Sequence, residues 1–270
     1  MPRPSAKPRY SLNTPPTTPT KRGSSAPPES PTGTTSKTPS KLGPSQSIGT
    51  VAETPYHKKL KNLLADHRKI RKGWIALVLG VEGLGNARKI VEIADETSSA
   101  LASLDSLTTS SASMRENLRT DYILQKSQEL SSLLSALQNT MAQLRSMIEQ
   151  MEQTVDALER LLMDASKARG IEWTFSKPAW LTWPLSRFVD TVSTLQTGYG
   201  EQTALLSLLF EAILPPQTLM DLSWDGVQEE ERREKGMQRQ AALSYWATVP
   251  LVRVEQEKEF EEICSVEWIS

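Results

Sequence analysis

The chain's 270 residues include two histidines, His57 and His67, and one cysteine, Cys264. These are the side chains best suited to metal ligation or nucleophilic attack near neutral pH, and they are too few to form a zinc site or a nucleophile–base pair. No paired carboxylates mark an acid–base centre, so a non-catalytic chain without cofactor or metal is expected. Two other sets of residues have usable chemistry. Five hydroxyls precede a proline, at Thr14, Thr18, Ser30, Thr38 and Thr54, and Lys21 and Lys41 stand three positions after Thr18 and Thr38. These are candidate phosphoacceptors, and each phosphate would add roughly −1.5 to −2 charges to a basic segment. The other set is aromatic: Trp173, Phe175, Trp180 and Trp183 fall close together, followed by Pro184 and Phe188, with Tyr245, Trp246 and Pro250 further on. Tryptophan-rich clusters anchor protein interfaces, and they equally cap the core of a helical bundle; both readings stay open here.

These residues need helices to hold them. Leu130, Leu134, Leu137, Met141, Leu144, Ile148, Met151, Val155, Leu158, Leu162 and Ala165 recur in four-then-three steps, a heptad seam of five repeats. The spacing predicts one helix from about Met114 to Gly170, reaching ~80 Å. Leu133, Met147 and Leu161 fall at g and widen its apolar face, which favours more than one packing neighbour. A second stripe, Tyr56, Leu60, Leu63, His67, Ile70, Trp74, Leu77 and Val81, predicts an amphipathic helix whose off-stripe bases, Arg68 and Arg71 among them, read as a solvated face. His67 is expected to be packed. Gly80, Gly83 and Gly85 should break or kink that helix; no strand precedes them and their spacing does not match a phosphate loop. A weaker stripe follows through Ile90 and Leu104, with a Ser/Thr-rich frayed end or loop at 97–113. Thr182-Trp183-Pro184 reads as a helix start with proline at the first helical position, and Gly198 and Gly200 should loosen that helix before Pro215-Pro216 ends it. A short helix then ends at Trp246 and Pro250, Leu251 to Val254 reads as extended, and 255–270 as an acidic tail.

Composition sets the domain plan. Twelve of the seventeen prolines precede Tyr56, and residues 1–55 carry seven Lys or Arg against Glu29 and Glu53. That stretch lacks the apolar side chains needed to offset the entropy of folding, so a disordered basic arm is expected. The full plan is an arm at 1–55, a long coiled-coil hairpin at 56–170, an aromatic-anchored helical region at 171–254 and the acidic tail. The fold class is all-α, an elongated antiparallel bundle. The longest apolar run, Trp74 to Leu79, is far short of the ~20 residues a membrane span needs. The lone cysteine and the absence of an apolar run in the first 40 residues point to a reducing compartment.

The long coil, the Trp183-Pro184 helix start with Phe188 after it, His67 followed by Trp74, and Leu243-Ser244-Tyr245 with Pro250-Leu251-Val252 and Glu255 resemble the cyclin-dependent kinase 2-interacting protein family over about residues 60–255. Tyr245 and Trp246 are adjacent where the family separates them by a helical turn, and Leu251 stands where it has an aromatic. The resemblance implies a nuclear adaptor without catalytic activity, linked to replication and checkpoint kinases and to an AAA-type ATPase assembly in ribosome maturation and chromatin. Thr18 and Thr38 also resemble preferred sites of cyclin-dependent kinases. A cytoskeletal or kinetochore-type coiled-coil rod is the alternative, and direct nucleic-acid binding through the basic arm a third reading.

Overall fold

In the computed structural model, residues 53–105, 112–214, 229–251 and 253–268 are described. All of them belong to one compact unit, 49–270. Every regular element among them is helical. The candidate acceptors Thr14, Thr18, Ser30 and Thr38 lie outside the described residues, as does the arm they belong to except for its last three positions.

The first helix, α1 (Pro55–Leu79), starts where the sequence supplies a cap. The Thr54 hydroxyl accepts from the His57 N–H at 3.4 Å, and His57 Nδ1 accepts from the Thr54 N–H at 3.1 Å. Thr54, the one candidate acceptor in view, thus spends its hydroxyl on a reciprocal capping box. Pro55 follows at the first helical turn, where its missing N–H is harmless. At Gly80 the backbone becomes extended, and Val81–Gly85 forms a π turn before α2 (Asn86–Asp105). The glycine run therefore reorients a helix. The Gly85 N–H reaches the Gly80 carbonyl at 3.1 Å. The carbonyls freed around the turn find other donors: Trp246 Nε1 gives to Val78 at 3.2 Å, and Asn86 Nδ2 and the Thr140 hydroxyl give to Glu82 at 3.0 and 3.1 Å. Polar groups that helix geometry leaves without partners are thereby satisfied.

The seam helix is α3 (Ala112–Arg169), 58 residues and about 87 Å long. It ends at Gly170, whose φ of +90° suits only glycine. Met147 beside Gly73, Thr140 on Glu82 and Lys126 on Glu96 show α1, the π turn and α2 running antiparallel along α3 in one register. Helix continues through part of the Ser/Thr-rich stretch to Asp105.

After α4 (Ile171–Phe175), helix α5 (Leu185–Ile213) returns along α3, with Gln196 hydrogen-bonded to Glu152 at 3.2 Å. Pro184 is its N-cap and Leu185 its first helical residue, one position later than the spacing predicts. Gly198 and Gly200 do not interrupt it. Gly198 is instead the site where the Arg253 guanidinium lies against the helix, closer than a Cβ would permit. Next come α6 (Glu229–Thr248), a 3-10 turn at Val249–Leu251, and α7 (Val254–Trp268). Here the structure corrects the sequence reading twice. Leu251 and Val254 belong to helical turns, with Val252 outside the described residues, and the acidic segment is a packed helix. Phe260 and Cys264, four residues apart, turn one side of α7 inward, and Glu267 continues that side with a sealed carboxylate.

Four antiparallel tracks result: α1 to α2, α3, α5, and α6 to α7. Two cores fill them. One gathers Trp74, Val78, Ile90, Leu101, Leu137, Met141, Leu144, Leu206 and Trp246; the other gathers Leu60, Leu64, Leu158, Leu161, Phe188, Val192 and Phe260. Of the seam, Leu130, Leu137, Met141, Leu144, Met151, Val155 and Leu158 are buried, while Leu134, Ile148 and Leu162 are half-buried. The g position contributes as well: Thr140, Thr154 and Leu161 are buried, and the two threonine hydroxyls return to the carbonyls four residues back.

Candidate functional site

The aromatic end of the bundle is built around Trp180, Trp183 and Phe188. The rings of Trp180 and Phe188 meet edge-on at 5.7 Å, and Trp183 lies 5.3 Å from Phe188 and 6.3 Å from Phe260. His57 from the capped start of α1 faces Trp180 at 5.0 Å, and Tyr56 faces Trp173 at 5.9 Å. Edge-on and tilted pairs of this kind add to simple area burial. Trp180, Trp183 and Phe188 are buried, and Trp173 is half-buried. In the second group Trp246 and Pro250 are buried and Tyr245 is 66% exposed. Of the aromatic candidates, then, the structure places most inside the chain's own core, and Tyr245 in solvent.

Two apolar residues face outward at this same end: Phe175, one of the clustered aromatics, and Ile171, which the sequence reading did not name. Ile171 and Phe175, one turn apart on α4, are 71% and 50% exposed. Thr174 is sealed on the inner side of that short helix, its hydroxyl bonded to the Ile171 carbonyl at 3.0 Å.

Beside the aromatic cluster, α7 lies in a cradle between α1 and α5. Arg68 grips Glu261 with two bonds, Nε at 3.1 Å and Nη2 at 2.7 Å. Arg71, fully buried, reaches Glu257 and Glu261 at 3.4 Å each, and the Tyr199 hydroxyl donates to Glu257. Burial first, then Glu257, pushes the Tyr199 hydroxyl pKa upward. At the far end Glu267 accepts the N–H groups of Leu181, Thr182 and Trp183 at 2.7, 2.8 and 3.1 Å, together with the Thr182 hydroxyl. Burial alone would raise the Glu267 pKa, but these donors outweigh it and hold the carboxyl below its ordinary value. Between the charged contacts Phe260 and Cys264 enter the core, and burial pushes the thiol up to about 12, which keeps it protonated and unreactive. His67 lies beneath, wholly buried with neither ring nitrogen hydrogen-bonded, its pKa lowered to about 3 by burial and then by Arg71.

The expected solvated face of α1 is thus corrected at two positions, because Arg68 and Arg71 face a helix whose carboxylates recur four residues apart. The visible signal was the match between basic residues at 68 and 71 and acidic ones at 257 and 261. Among the described residues no cluster of three or more His, Cys, Asp or Glu could hold a metal, and no helix is long and apolar enough to cross a membrane. No protein-family model matches the chain, and no curated protein matches it in sequence.

Proposed function

We propose that this chain is a non-catalytic nuclear adaptor that binds protein partners through helical surfaces, as its resemblance to the cyclin-dependent kinase 2-interacting proteins implies. The observation that carries this reading is the outward pair Ile171 and Phe175, set on a short helix whose inner side is fixed against the buried aromatic cluster. An exposed apolar pair on a rigid support suits an interface anchor better than it suits a free surface. The partners implied are a replication or checkpoint kinase or an AAA-type ATPase assembly. The alternative, a coiled-coil rod, needs the Leu130–Leu162 seam for a second chain, and here that seam is covered by α1, α2 and α5 of the same chain.

The test is capture of partners by the tagged full chain, followed by mass spectrometry, with the double substitution Ile171→Glu and Phe175→Glu alongside. Kinase or ATPase subunits recovered with the parent chain and lost from the variant, at unchanged thermal stability, support the adaptor reading. Equal recovery from both, or no such subunits with either, sinks it.

A further inference from the structure

We propose that the α1–α5 cradle is a receptor for an acidic amphipathic helix of a partner protein, and that α7 occupies it in cis as a displaceable stand-in. This deepens the adaptor reading and rests on it for the existence of a partner.

Two features of the contact carry the inference. Its recognition groups are charge-specific: Arg68 and Arg71 read carboxylates one turn apart, and the N–H groups of Leu181, Thr182 and Trp183 read a third carboxylate six residues further on. A helix with acids at relative positions 1, 5 and 11 and small or aromatic apolar residues at 4 and 8 satisfies the whole cradle, as Glu257, Glu261, Glu267, Phe260 and Cys264 do. Such charge-assisted and bidentate bonds define the helix that fits rather than merely burying one.

The apolar part of the contact is modest. Among the described side chains of α7, Phe260 and Cys264 are the buried apolar ones, with Ile263 partly so, whereas α5 buries eight or more large apolar residues. The Arg68–Glu261 pair is partly exposed while Arg71 and Glu267 are sealed, and a helix with so thin an apolar face opens at lower cost than one with a wide one.

The full-length chain carries its own reporter, since Cys264 is the one cysteine in the sequence and is buried only while α7 is docked. The probe is a synthetic peptide of residues 254–270 carrying Cys264→Ser, added to the intact protein while alkylation of the Cys264 thiol is followed. The expected result is a several-fold, saturable rise in alkylation rate, with the circular dichroism of the bundle unchanged. A peptide that also carries Glu257→Gln, Glu261→Gln and Glu267→Gln should leave the rate alone. Arg68→Ala, at a half-exposed position, should raise the rate without peptide. An alkylation rate that the acidic peptide does not alter, whether fast or slow, overturns the proposal and makes α7 a fixed part of the core. That outcome is separate from the capture experiment, which reads Ile171 and Phe175 and involves no cradle residue.

Discussion

Replacing Glu267 by glutamine keeps the shape of the side chain and removes one acceptor and the charge. In the folded chain the carboxylate is 1% exposed and takes three backbone N–H groups and a hydroxyl. A glutamine offers one oxygen, so its NH2 must face either the Leu181 N–H or the pair from Thr182 and Trp183. Each buried donor left without an acceptor costs ~1–3 kcal/mol, and because Leu181 and Thr182 are exposed residues the total is about 2–4 kcal/mol. For a unit of this size that lowers Tm by roughly 5–15 °C. The pH dependence gives an internal check. The folded pKa of Glu267 lies below the ordinary 4.5, so the stabilisation is full above the unfolded value and is lost as pH falls through the folded one. The gap between parent and Glu267→Gln, measured by urea unfolding, should therefore be widest near pH 7 and narrow below pH ~4.5. A gap under about 0.5 kcal/mol at neutral pH, the size of an ordinary surface substitution, would falsify the clamp.

Two further outcomes follow from buried groups and tight backbone. His67 is a base whose folded pKa drops from 6.5 to about 3, so the folded state resists a proton that the unfolded chain accepts. Stability is full above pH 6.5 and falls by ~1.4 kcal/mol per unit below it, reaching ~2 kcal/mol by pH 5. His57, also lowered by burial, adds in the same direction. Substituting His67→Leu should remove about 2 kcal/mol of the loss between pH 7 and pH 5 in urea titrations; an unchanged loss refutes the assignment. In the π turn, a Cβ at Gly83 would collide with the Leu77 and Val78 carbonyl oxygens, whereas one at Gly85 finds its nearest neighbours at 3.6 Å. Gly83→Ala should cost at least ~2 kcal/mol more than Gly85→Ala by thermal unfolding; equal costs would contradict the geometry.

The heptads of α3 were legible because a 3.5-residue period is a property of local sequence, and apolar g positions announced a second neighbour. Burial of Trp183, Phe188 and Trp246 was not legible, since an aromatic beside a helix start reads the same whether its wall is its own chain or another. Helix α7 was hidden for a different reason. Phe260, Ile263 and Cys264 are a thin stripe among six glutamates, and what holds the helix is the distant basic pair Arg68 and Arg71. Long-range charge matching leaves no periodic trace, so composition alone suggested a tail. Phe175 was visible as a member of the aromatic cluster, but that it turns outward beside Ile171 while Trp180 and Trp183 turn inward was not, since sequence spacing does not tell the two sides of so short a helix apart.

The π turn at Val81–Gly85 fixes the angular phase between the two halves of the hairpin. Each helical residue advances the chain by about 100° and ~1.5 Å. Deleting any one residue from the turn would swing Ile90, Val91 and Leu101 by more than a quarter of a revolution out of the core they share with Trp74 and Val78 of α1. Change in this segment is therefore confined to substitution: its length can drift in neither direction without turning half of the bundle's apolar face to water, however mild each amino-acid exchange within it is.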